Sequence, residues 1–167
     1  TVAHHSRLFK VAYGILRDRH LAEDATQQAF FDIWRSLRHL RDPLKFEGWS
    51  YRLLVRACYA EARRKPGWVP SGEIEPSDEP RAGDAFSAVA DRDLLERGFR
   101  HLSPEHRAVI VLRYLLDMTP EQIADTLEIS RKTVYSRLKR AILAMRAAVE
   151  ADARPVPSAP VPHEIAR

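Results

Sequence analysis

Wherever this chain carries an apolar pattern, the apolar residues recur every three or four positions, and no stretch alternates apolar with polar residues as a half-buried strand does. That period commits the chain to helices, and helices alone must bury their apolar stripes against one another. The sequence therefore predicts an all-α fold, with helices over about residues 3–17, 20–40, 46–64, 85–101, 104–116, 120–127 and 131–149. Several starts are marked by capping chemistry. Ser103-Pro104 and Thr119-Pro120 each place a hydroxyl before a proline suited to a first turn, and Thr119 with Gln122 has the spacing of a capping box. Asp42-Pro43 gives a break or a new start by the same means.

Between residues 65 and 84 the pattern stops. KPGWVPSGEIEPSDEPRAGD is rich in Pro, Gly and acids and reads as a flexible acidic linker. Fully extended, it reaches about 65 to 70 Å, the length of about 20 base pairs of duplex DNA. The expected organisation is thus two small helical domains, 1–64 and 85–150, joined by the linker 65–84 and followed by a proline-rich tail, 151–167, expected to be disordered.

Composition excludes some classes and permits others. Hydrophobic residues make up 45% of the 167, enough for cores, and the formal charge of +4 permits nucleic-acid binding without demanding it. Cys58 is the only cysteine, which rules out an internal disulfide or a cysteine-based zinc site and suits a buried small residue. No apolar run approaches the ~20 residues of a membrane span, and no signal-peptide pattern opens the chain. A soluble, cytoplasmic protein is expected, and Thr1 in place of Met predicts that a native beginning has been trimmed.

Charge is concentrated where function is to be sought. From Arg131 to Arg140, five of ten residues are basic and none is acidic, yet Val134, Leu138, Ala141, Ile142 and Met145 fall on one helical side. TPEQIADTLEISRKTVYSRLKRA gives a short helix, a turn around Glu128 to Ser130 and a second helix capped by Ser130, the arrangement of a helix-turn-helix. The apolar stripe is expected to pack on the helices at 104 and 120. Lys132, Ser136, Lys139 and Arg140 then face a polyanion, with Arg131 and Thr133 at the end where helix amides favour phosphate. A merely solvated charged face is the alternative, disfavoured by the absence of acids and by the capped partner helix. Leu143 lies on the basic side, as an exposed leucine or a protein contact.

In the front half, Ala22, Ala25, Ala29, Ile33 and Leu37 form the inward stripe of the second helix, so Asp24, Gln27, Gln28, Phe31 and Arg35 point outward. Phe31 on a polar face either meets a protein partner or packs on a neighbouring helix. On the third helix, Trp49, Arg52, Arg56, Tyr59 and Arg63 share one side, opposite Leu54, Val55, Cys58 and Ala62. Arginines interleaved with aromatics suit single-stranded nucleic acid, charge for phosphate and rings for unstacked bases. Core aromatics flanked by solvated arginines remain the other reading. Glu23-Asp24 lacks the nucleophile, histidine partner or metal spacing of a catalytic site, and His4-His5 lacks further ligands, so neither an enzyme nor a cofactor is expected.

Three stretches together resemble the extracytoplasmic-function sigma factors of the sigma-70 family: AEDATQQAFFDIW at 22–34, FEGWSYRLLVRACYAEARR at 46–64, and LSPEHRAVIVLRYLLDMTPEQIADTLEISRKTVYSRLKRA at 102–141. The resemblance spans about residues 5–148. It implies a bacterial subunit that binds core RNA polymerase and directs transcription initiation at promoter DNA, the first domain binding the polymerase clamp and the opened minus-10 element, the second reading the minus-35 duplex. It places polymerase contacts at Asp24, Gln27 and Phe30, with Gln28 where the family usually has Glu. Phe46, Trp49 and Arg52 match the minus-10 pattern, while Arg56 stands where an Asn is often found. In the minus-35 helix, Lys132 replaces a common Gly and Tyr135 a frequent basic residue. The family also implies an anti-sigma factor as partner, although no residue identifies one.

Two other classes compete. A helix-turn-helix transcriptional regulator would keep the basic helix and carry an unrelated helical sensing domain in front, with a ligand pocket or dimer face. An interaction protein would keep the helices and lack the basic stripe.

Overall fold

The computed structural model of the chain describes residues 2–64, 98–99 and 101–152. Among these residues there are six α-helices and no strand: α1 (Val2–Leu16), α2 (Arg19–Ser36), α3 (Phe46–Arg64), α4 (Pro104–Tyr114), α5 (Pro120–Leu127) and α6 (Arg131–Asp152). The linker 65–84, nearly all of the helix expected over 85–101, and the tail from 153 onward lie outside the described residues.

The capping chemistry is in place at each marked start. Ser103 Oγ accepts from the His106 amide, and Thr119 and Gln122 exchange hydrogen bonds at 2.8 and 3.2 Å as a complete capping box. Ser130 Oγ accepts from the Thr133 amide at 3.0 Å. Asp42 accepts from the Leu44 amide and starts a single 3-10 turn, Pro43–Lys45, before α3. One expectation fails at the end of α2. The α-helical register stops at Ser36, and the tighter 3-10 turn Leu37–His39 carries Leu37 off the inward stripe, leaving it 48% exposed.

In the front half, the alanine stripe of α2 is fully buried, letting α1 and α3 approach closely around Leu8, Val11, Ile15, Tyr51, Leu54 and Val55. Cys58 lies in this core, and burial pushes its thiol up to about 12. His4 and His5 are engaged by aromatic rings, His5 stacking on Phe30 at 5.6 Å.

The core does not end there. Val109, Leu112, Ile123 and Val134 of the back half belong to the same continuous apolar cluster, because α4 lies on α1 and α5 lies on α3. Gly14 marks the seam. A Cβ there would stand 2.8 Å from Val111 Cγ2, so glycine is what lets α1 and α4 meet, although mid-helix it costs about 0.5–1 kcal/mol relative to alanine.

Candidate nucleic-acid and protein interfaces

The basic helix α6 is fixed by a turn that a β-carbon does not favour. Glu128 ends α5 in the left-handed region with φ 56, its amide and that of Ile129 returning to Ala124 O, and α6 starts three residues later. Val134 and Ala141 are fully buried, and Leu138 and Met145 pack beside them, so the apolar stripe meets α4 and α5 as its period requires. Lys132 and Tyr135 are consequently exposed, with Thr133, Ser136, Lys139 and Arg140 half-exposed. Arg131 is exposed at the N-terminal end, 3.9 Å from Glu121, too far for a firm pair. Leu143 is 44% exposed. Arg137 and Arg140 also lie near His106 of α4, where burial first and these two cations second push the imidazole below its ordinary value.

On α3, Trp49, Arg52, Arg56, Tyr59 and Arg63 share the side opposite the buried Leu54, Val55, Cys58 and Ala62. Phe46 packs near Trp49, ring centroids 6.0 Å apart. This face is turned toward the back half. Arg52 donates to Thr126 O and Asp125 O of α5 at 2.9 and 2.8 Å, and both Arg52 and Arg56 pair with Glu128, at 2.6 and 2.5 Å. The Tyr59 hydroxyl is buried near Arg137 with no hydrogen-bond partner among the described residues, and burial raises its pKa against the opposing pull of Arg137. Its ring keeps partial exposure, so the burial belongs to the polar end of the side chain.

The outward face of α2 has no such cover. Asp24, Gln27, Gln28 and Phe31 line a shallow groove of about 440 Å³ with Glu61 and Arg64 of α3. Phe31 is 52% exposed, so its ring is not core, and Arg35 is exposed beside it. Arg64 donates to both oxygens of the nearly buried Glu61. Phe30 lies off this face, half-buried against the histidines of α1.

Four residues escaped the sequence as site residues. Trp34 is 77% exposed, and its spacing of seven from Gln27 was a usable signal, since that puts both on one helical face. Glu61 and Arg64 complete the groove, which only the packing of α3 on α2 reveals. Glu128 meets Arg52 from 76 residues away, and no local pattern announces that pairing.

The two halves have known counterparts in the same order. The family description "Sigma-70 region 2" matches residues 2–66, and "Sigma-70, region 4" matches residues 92–145. The chain is 30% identical over 146 residues to the ECF RNA polymerase sigma factor SigL of Mycobacterium tuberculosis, covering 86% of this chain and 82% of that protein. It is 29% identical over 143 residues to the ECF RNA polymerase sigma factor SigE of Mycolicibacterium smegmatis, covering 82% of this chain and 55% of the relative. The chain thus spans about half the length of that relative and 45% of SigG of Mycobacterium tuberculosis. In fold it is similar to the sigma factor RpoE of Bartonella quintana, solved in complex with the anti-sigma factor NepR, with a TM-score of 0.62 at 19% identity over 90% of this chain and 94% of that one.

Proposed function

Because this chain belongs to the extracytoplasmic-function sigma factors of the sigma-70 family, we propose that it binds core RNA polymerase and directs promoter-specific transcription initiation through minus-10 and minus-35 recognition. Polymerase docks on the outward face of α2, with Asp24, Gln27, Gln28 and Phe31 at the groove, Trp34 beside them and Phe30 supporting from below. The opened minus-10 strand is held by Phe46, Trp49, Arg52, Arg56, Tyr59 and Arg63. The minus-35 duplex takes α6 in its major groove, against Arg131, Lys132, Thr133, Tyr135, Ser136, Lys139 and Arg140.

Residues 1–64 and 85–150 act as the two recognition units, with 65–84 as their tether. The protein works without catalysing a reaction, and its place is the cytoplasm, where polymerase and promoters are. No helix among the described residues is long and apolar enough to cross a membrane. The RpoE neighbour's complex with NepR supports an anti-sigma factor as a further partner.

One observation supports this reading: a single chain bears two faces of different chemistry, a basic exposed helix side of the kind that suits duplex DNA and an arginine-aromatic face of the kind that suits unpaired bases. A helix-turn-helix regulator with a sensing domain has no use for the second. Affinity capture of core polymerase by the tagged chain tests the choice. Stoichiometric capture is expected, and a chain that binds duplex DNA without capturing polymerase would support the regulator instead.

A further inference from the structure

The first turns of α6 hold one side chain that neither the core nor the charge of the helix accounts for. Tyr135 stands 55% exposed, one residue after Val134, which is fully buried and, with the fully buried Ala141, fixes the rotation of the helix. At about 100° per residue, the ring shares its side with Lys132, three positions before it, and Lys139, four positions after. An aromatic ring thus lies on the basic side of the helix, between two ammonium groups.

The hydrogen-bonding groups around the ring are nearly all donors. No Asp, Glu, Asn or Gln occurs from Arg131 to Arg140. The Thr133 hydroxyl meets that of Ser130 at 2.8 Å, in the cap that starts α6. Ammonium and guanidinium groups only donate, so in the major groove they fit the O6 and N7 acceptors of guanine. The side-chain amide that pairs with adenine and the carboxylate that accepts from cytosine are both missing from this face. One further group marks a base pair there, the C5-methyl of thymine, and it takes apolar contact. Between Arg131 and Arg140, Tyr135 is the exposed large apolar side chain.

We propose that Tyr135 sets a base preference in the upstream duplex element by laying its ring on the C5-methyl of a thymine, with Lys132 and Lys139 taking guanines close by. This rests on the assignment of α6 to the major groove under Proposed function. The ring makes the contact, and the hydroxyl is not needed for it. A helix rise of about 1.5 Å per residue puts the two lysines about 4.5 and 6 Å along α6 from the tyrosine, the span of one to two base pairs at about 3.4 Å each. The favoured duplex therefore carries a thymine with guanine within two base pairs of it.

The test uses the full chain on duplex DNA, without polymerase. A library randomised over about ten base pairs is enriched for duplexes that the chain retains. Each thymine of the selected duplex is then replaced in turn by uracil, which removes the methyl group and keeps every hydrogen-bonding group of the base. In the unsubstituted chain, uracil at one position is expected to weaken binding about three- to fivefold, the worth of one buried methyl group. Tyr135→Ala is expected to bind the thymine and uracil duplexes equally. Tyr135→Phe keeps the ring and is expected to keep the preference. Tyr135 is exposed, so neither substitution disturbs the core, and the thymine-to-uracil ratio within one variant does not depend on how much of it is folded. An enriched motif without thymine, a ratio of one in the unsubstituted chain, a preference that survives Tyr135→Ala, or one lost in Tyr135→Phe would each overturn the proposal. A library from which no duplex is enriched would overturn the assignment of α6 itself, and the proposal with it.

Discussion

The outward faces of α2 and α3 are built alike, polar and charged residues around aromatics on one side of a helix, yet one lies open and the other is partly covered. On α2, Phe31 and Trp34 stand 52% and 77% exposed, whereas on α3 Arg52 is reduced to 27% and the Tyr59 hydroxyl is buried. The difference is that the back half lands on α3. Periodicity tells which side of a helix faces away from its own core, and a second half of the chain decides whether that side meets solvent.

The largest expected effect falls on the open face. Asp24→Lys with Phe31→Ala should weaken capture of core polymerase by about 30-fold or more, as loss of an interface hot spot does, while α3 stays covered and the isolated effect on duplex binding is nil. If competition for core polymerase is undiminished, the open face is not the docking face and the contrast with α3 loses its meaning. On α6, Lys139→Ala and Arg140→Ala should each weaken binding to promoter duplex by ~1–3 kcal/mol, with a flatter salt dependence where the contact is to phosphate. Titration against duplex at several salt concentrations separates the two kinds of contact, and full affinity in the double variant would remove α6 from the groove.

Thr119→Ala breaks the capping box that starts α5, at a cost of about 1 kcal/mol in denaturant unfolding. Because α5 supplies the cover over Arg52, the same variant sharpens the comparison by loosening α3 while leaving α2 unchanged. Arg56→Asn should change preference among single-stranded minus-10 variants presented to the polymerase-bound protein, since Asn both donates to and accepts from a base edge and Arg only donates. An unchanged profile would mean that Arg56 serves the contact with Glu128 and not base choice.

The smallest effect concerns pH. Burial lowers the pKa of His106, with Arg137 and Arg140 adding to this and Glu105 opposing. Its folded-state pKa is lowered, so as pH falls through the ordinary histidine range the unfolded chain takes up a proton more readily than the folded chain, and stability declines. His106→Gln should flatten that decline in thermal melts between pH 7 and 5, by about a degree or two at most for a half-buried group.

The helices, their caps and the inward stripes were legible in the sequence because they depend on residues within one or two turns of each other. Ser103, Thr119 and Ser130 cap where their spacing places them, and Val134 and Ala141 are buried where the period places them. Leu37 misled, because periodicity carries on past the point where the backbone tightens into a 3-10 turn. The sides of α2 and α3 that bear the candidate site were likewise legible. Glu61, Arg64 and Glu128 were not, since each joins the site through the packing of one helix on another, and the Arg52–Glu128 contact spans 76 residues. Gly14 carried a hint, a glycine inside a strong helical pattern, but its reason is Val111 across the seam.

The most direct measurement is run-off transcription by core polymerase with and without the chain, on a template library randomised across both promoter elements, with the transcripts sequenced. Transcripts are expected that depend on the chain, start at a fixed distance from two enriched motifs, and lose the upstream motif in the Lys139→Ala, Arg140→Ala double variant. Transcripts identical to those of core polymerase alone, or enrichment of one duplex motif with no second element near the start, would contradict it.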